Sequence, residues 1–135
     1  MDISGALDVS ASGLDAQSER LRVISENMAN EDTTGSTPGA DPYRRKIITF
    51  AEQMDRETGE SEVTVKSISR DQSPFGKRYD PSHPAADASG YVKTSNVSSF
   101  IEMMDMREAE RSYSANLDAM QATRSMMTRT IDLLK

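Results

Sequence analysis

Apolar residues recur at alternating gaps of four and three from the start of the chain. Ile3, Leu7, Ser10, Leu14, Gln17, Leu21, Ile24 and Met28 trace a heptad seam with two polar interruptions. Asp8, Asp15, Glu19, Arg22 and Glu26 lie off that seam. The pattern predicts an N-terminal helix of about 40 Å at a rise of about 1.5 Å per residue. Its intrinsic propensity is poor, since Gly5 and Gly13 each cost about 1 kcal/mol against alanine. Such a helix needs packing against a partner to persist. A second seam runs from about Asn96 to the C-terminus through Met103, Met106, Glu110, Tyr113, Leu117, Met120, Arg124, Met127, Ile131 and Leu134. No Gly or Pro interrupts it, and Ser99-Phe100-Ile101-Glu102 fits a capping box at its start.

Between the seams the period changes. Asn30 to Pro42, NEDTTGSTPGADP, is rich in turn-forming residues and reads as a linker. Asn30 tolerates the left-handed conformation that often closes a helix. Tyr43 to Phe50 and Glu62 to Ser69 are β-branched and aromatic and read as strands, with Gly59 in the turn between them. A third short strand is expected around Lys77 to Tyr79. Tyr79 to Val92 reads as an extended loop, because Pro81 and Pro84 push their predecessors out of the helical region. The predicted fold is therefore mainly α with a small β insert. Long N- and C-terminal helices pair as a coiled coil, with a small antiparallel β unit and extended loops between them. The expected parts are residues 1–30 (N-terminal coiled-coil helix), 31–95 (linker, β unit and loop) and 96–135 (C-terminal coiled-coil helix).

Composition sharpens this picture. The 135 residues are 36% hydrophobic and 5% aromatic, too lean for a thick core of their own. Six of the nine methionines fall between Met103 and Met127. Methionine adapts to irregular neighbours, so the stretch reads either as ordinary core or as a surface that packs against several different chains. The net charge of -6 argues against a nucleic-acid partner. No stretch is long and apolar enough for direct membrane insertion.

Candidate chemistry is sparse. Without cysteine the chain has no disulfide, thiol nucleophile or cysteine metal site. A lone histidine, His83, excludes a histidine-rich metal centre and is expected to be structural or solvated sooner than a metal ligand or general base. Arg44-Arg45-Lys46 reads as a solvated strand edge sooner than as a phosphate or membrane contact. No Gly-rich phosphate loop, nucleophile elbow or paired-ligand motif is present. The expectation is a protein that is not an enzyme and takes no cofactor and no metal.

The terminal seams carry a further pattern. Ser12-Gly13-Leu14, Ala16-Gln17, Arg20-Leu21, Asn27, Ala29-Asn30 and Thr33 resemble the N-terminal signature of the rod, hook and filament-junction proteins of the bacterial flagellum. Asn96-Val97, Glu102-Met103, Met106, Ala109, Arg111, Tyr113 and Ala115-Asn116 resemble their C-terminal signature. Pro42-Tyr43-Arg44-Arg45, Ser73-Pro74-Phe75, Tyr79-Asp80-Pro81, His83-Pro84 and Gly90-Tyr91-Val92-Lys93 are similar to the C-type proximal-rod branch of that family. Ala51 to Glu60 carries no such signature.

The resemblance implies a structural subunit of the proximal rod in the flagellar basal body. It would polymerise through its terminal helices into the axial drive shaft that transmits torque to the hook. Subunit contacts would then come from Ile3, Leu7, Leu14, Gln17, Arg20, Leu21, Ile24, Asn27, Met28 and Asn30 on the first helix. On the second they would come from Met103, Met106, Arg111, Tyr113, Asn116, Leu117, Met120, Met127, Ile131 and Leu134. Implied partners are copies of itself, the B- and F-type proximal-rod and G-type distal-rod proteins, the rod-to-ring adaptor, and the flagellar type III export apparatus. The implied location is a rod spanning the periplasm, reached without a cleaved signal peptide. A soluble coiled-coil export chaperone or regulator would show the same paired seams, and a wall-remodelling hydrolase would need a catalytic cleft. For the Asn-x-Ala-Asn run at Asn27 to Asn30, the expected role is to end the helix and bond backbone groups where the linker leaves it.

Overall fold

The computed structural model describes residues 3–56 and 59–133. The order of elements is α1 (Ile3–Ala29), β1 (Lys46–Met54), β2 (Ser61–Arg70), β3 (Gly76–Tyr79), β4 (Tyr91–Thr94) and α2 (Ser99–Leu133). The chain is mainly helical with a small β part. The strands form two separate two-stranded sheets, β1 with β2 and β3 with β4, instead of one small unit. The expected third strand is β3. Its partner β4 occupies the end of what reads in sequence as an extended loop.

The chain forms two compact units. Of the described residues, the first gathers 3–21, 48–56, 59–67 and 107–133; the second gathers 22–47 and 68–106.

In the first unit, α1 and α2 meet through small residues. Gly13 lies against Asn116, so close that an added Cβ would stand 2.8 Å from Asn116 Nδ2. Seven residues along α1, the Arg20 guanidinium reaches Glu108 at 3.7 Å, so the helices run antiparallel here. Ala16 and Ala109 are buried. On another side of α1 the hairpin docks: Val63 N donates to Ser12 Oγ at 3.2 Å, and the Glu60 carboxylate covers Gly5. The hairpin closes where Asp55 N donates to Glu60 O at 2.8 Å and Gly59 takes φ +72°, a conformation that favours glycine.

In the second unit, α1 ends, the linker passes, and α2 begins. Among the described residues no non-glycine residue has positive φ, so Asn30 does not close α1 in the left-handed way expected. Its side chain does the work: Asn30 Nδ2 donates to Glu26 O at 2.8 Å, satisfying a carbonyl that the last helical turn leaves free. The expected capping box at Ser99 also fails to form. Glu102 N donates to Ser98 O at 3.0 Å, which puts the N-cap one residue earlier. Ser99 Oγ bonds Glu31 instead, and the Glu102 carboxylate is claimed from inside the unit.

The β3–β4 pair aligns Tyr79 with Tyr91, whose rings meet edge to face at 5.2 Å. Val92 is buried beneath it. His83 lies in the loop before β4. Its Nδ1 accepts from Ala85 N at 3.1 Å and its Nε2 meets Thr34 Oγ1 at 3.3 Å, so the ring is spent on holding the loop to the linker.

Candidate assembly surface

The polar residues that organise the site are set by α1's end. Asn27 falls on the inward stripe of α1, three residues past the buried Ile24, and is 1% exposed. A buried amide must fill its bonds, and this one fills all four. Nδ2 donates to Lys46 O at 2.9 Å and to Glu102 Oε2 at 3.1 Å. Oδ1 accepts from Lys46 N at 2.9 Å and from Tyr43 Oη at 2.9 Å. Asn27 thus grips both backbone groups of Lys46, as a neighbouring strand would, and fixes where β1 starts. Tyr43's burial raises the pKa of its hydroxyl, which stays a donor.

Glu102 is wholly buried, and its second oxygen accepts from Arg45 Nε at 2.5 Å. Arg45 also reaches Asp105 at 3.3 Å and Asp71 at 3.8 Å. Its backbone N donates to Asn96 Oδ1 at 2.7 Å, and Asn96 Nδ2 returns to Ser73 Oγ at 3.0 Å. Arg44 stacks 4.1 Å over the Phe75 ring and donates to Asp71 O at 3.0 Å. Lys46 Nζ holds Glu26 at 2.6 Å, and that bond lowers the Glu26 pKa. The basic run expected as a solvated edge is therefore the knot of the second unit. Sequence shows three adjacent cations, but not Glu26, 20 residues before Lys46, nor Glu102 and Asp105, 57 and 60 residues after Arg45.

The apolar residues of α2 go the other way. Its inward stripe is Glu102, Ala109, Asn116 and Thr123, small or polar and spaced by seven. The seam read from sequence sits beside that stripe. Of it, Met106 and Met120 are half-buried, whereas Met103, Glu110, Tyr113, Leu117, Arg124, Met127 and Ile131 are exposed. Arg111 is exposed too, and Asn116 is half-buried against Gly13. Phe100, Ile101, Met104, Met126 and Leu133 add more uncovered apolar surface on other sides of the helix; Phe100 is 73% exposed and Leu133 87%. A single seam does not reveal these five, because the helix is apolar on several faces.

On α1, Ile3 is exposed, while Leu7, Leu14, Gln17, Arg20, Leu21, Met28 and Asn30 are half-buried. Ile24 and Asn27 are covered by their own chain and can act on a neighbour only indirectly. Leu134 lies outside the described residues.

No cluster of three or more His, Cys, Asp or Glu residues that could hold a metal occurs among the described residues. No described helix is long and apolar enough to cross a membrane. The arrangement is a polar knot that fixes the root of the β hairpin and a long helix whose oily residues face outward.

Two protein families match in the same places. The family described as "Flagella basal body rod protein" matches residues 7–37, which hold most of α1 and the start of the linker. "Flagellar basal body rod FlgEFG protein C-terminal" matches residues 88–133, which hold β4 and α2. The flagellar basal-body rod protein FlgC of Agrobacterium fabrum is 53% identical over 133 residues, covering 98% of this chain and 96% of its own. FlgC of Salmonella typhimurium is 39% identical over 135 residues, 98% of each chain. FlgC of Bacillus subtilis is 38% identical over 145 residues, covering 96% of this chain and 97% of its own. With both signature regions matched and relatives aligned from end to end, this chain belongs to the FlgC family of flagellar basal-body rod proteins.

Proposed function

We propose that this chain is a structural subunit of the flagellar basal-body rod that joins its neighbours through the outward faces of α1 and α2. One observation carries the reading: α2 leaves Met103, Tyr113, Leu117, Met127 and Ile131 each at least a third exposed, on a chain of net charge -6. Large apolar residues left open along one helix mark an interaction site. Family membership supplies the setting, the basal-body rod, and association with other rod components follows from it.

The finer reading names the proximal rod, within a shaft that spans the periplasm and carries torque to the hook. Copies of this chain, the B-, F- and G-type rod proteins and the rod-to-ring adaptor are its neighbours, and the type III apparatus exports it without a cleaved signal peptide. In the assembled rod the two helices pair as a coiled coil within a layer of such pairs, with residues 31–95 projecting as the β-bearing part. The inward small-residue stripe lets α1 and α2 sit close, and the seam residues beside it are left for other chains. The role is structural, not enzymatic. A chaperone or regulator would have both seams closed against each other in the free chain, and the uncovered α2 face disfavours it.

The test is complementation. Leu117→Lys with Met127→Lys, in cells lacking the native chain, should abolish swimming and leave basal bodies without a complete rod in electron micrographs. The purified variant should keep the unfolding midpoint of the parent. Normal rods from this variant would refute the reading.

A further inference from the structure

The hairpin and α1 leave a groove between them in the first unit. It has a volume of about 290 Å³ and is lined by Ser12, Asp15, Ala16 and Glu19 from α1 and by Glu62, Val63, Thr64 and Val65 from β2. Its floor is apolar, through Ala16, Val63 and Val65. Asp15, Glu19 and Glu62 are among its lining residues, and among the described residues no cation lines it.

The same chain carries a complement. From Ala119 to Ile131, α2 has Arg124 and Arg129 and no acidic residue. Arg124, Met127 and Ile131 follow at gaps of three and four, so they share one face. All three are exposed. An apolar ridge bearing a cation fits an apolar groove with an anionic rim: methionine and isoleucine cover the valines, and the guanidinium meets Asp15, Glu19 or Glu62. This match is specific against a general repulsion. Copies of a chain with net charge -6 repel one another, so close approach needs a local pairing of opposite charge.

Resting on the rod-subunit reading above, we infer that the α1–β2 groove of one copy receives the Arg124–Met127–Ile131 ridge of a second copy. Groove and ridge are different surfaces, so the contact is head to tail. Each copy that docks offers a fresh groove or ridge, and the contact does not close on a pair as a two-fold one does. Its ionic part weakens as salt rises.

Because the native chain has no cysteine, site-directed crosslinking tests this directly. Differently tagged full-length copies, one with Val63→Cys and one with Met127→Cys, are expressed together and oxidised in isolated basal bodies. The expected result is a disulfide between the two tags, in a yield well above that of Val63→Cys with Ser114→Cys. Asp15→Lys in the groove copy should cut the yield about fivefold, and adding Arg124→Glu in the ridge copy should restore it. Equal yields from the control pair, crosslinks only to a different rod protein, or no rescue by the paired reversal would overturn the inference and leave the rod role standing. Absence of every tagged copy from basal bodies would overturn both.

Discussion

Asn27 Nδ2 stands 3.1 Å from Glu102 Oε2, so a buried amide on α1 and a buried carboxylate on α2 hold each other inside the second unit. Asn27 also fills both backbone groups of Lys46. Asn27→Ala would strand Lys46 N, Lys46 O and Tyr43 Oη and deprive Glu102 of a donor. We expect a loss of about 3 kcal/mol in urea unfolding, since each orphaned buried group costs about 1–3 kcal/mol before water enters. Asn27→Asp should do worse, because it keeps the acceptor and puts a second carboxylate against Glu102. An Asn27→Asp variant as stable as the parent would show that the amide's donors are dispensable.

Arg45 is the second holder of Glu102, with the carboxylate 0% exposed and the guanidinium side chain 20% exposed. Arg45→Met leaves the buried carboxylate short of its cation, and about 3–5 kcal/mol is the usual cost of breaking such a pair on one side. Replacing both residues, as Arg45→Met with Glu102→Leu, should cost less than the single change. A double-mutant cycle by thermal unfolding measures this, and strict additivity would count against the pairing.

Much of this architecture is legible in sequence, and what is not depends on contacts that only folding creates. The two helices, the β1–β2 hairpin and its turn at Gly59 follow from local pattern and local turn chemistry. Asn27 to Asn30 is expected to end the helix, and α1 does end there, but the amides bond Glu26 O in the last turn and Lys46 at the start of β1, not the backbone of the departing linker. The partners of Arg44, Arg45 and Lys46 are not visible in sequence, because Glu26, Asp71, Glu102 and Asp105 are distant along the chain and adjacent only in the folded unit. The helix seams were traced on the largest apolar residues. Inside the units the helices turn their small residues inward, Gly13 to Asn116 and Ala16 and Ala109 to the interior, because close approach favours the absence of bulk. The large residues beside those stripes are what the isolated chain leaves uncovered.

Gly13 offers a direct check on that close approach. The atoms a methyl there would meet first are the end of the Asn116 side chain, at 2.8 Å from Nδ2. Gly13→Ala alone should change stability little, since a helix-propensity gain of about 1 kcal/mol is offset by the displaced amide. Combined with Asn116→Ala, the gain should emerge, and the double variant should melt higher than the sum of the singles predicts. Additive effects in circular dichroism melts would mean that the two residues do not touch.

Acid should loosen the fold, and the sign follows from three carboxylates. Lys46's hydrogen bond lowers the Glu26 pKa, the Ser73 backbone amide lowers that of Asp71, and the Tyr91 backbone amide lowers that of Asp87. Each binds its proton less readily folded than unfolded. The stabilisation each supplies is therefore present above its unfolded pKa and lost as pH falls through its folded one. Urea midpoints should hold steady near neutrality and drop below about pH 4, the ordinary carboxylate range. Glu26→Gln keeps the shape but removes one of the three titrations, so its midpoint should fall less steeply over the same interval. A variant that tracks the parent throughout would mean the Lys46 bond is open in solution, and with it one of the ties between the end of α1 and the first residue of β1.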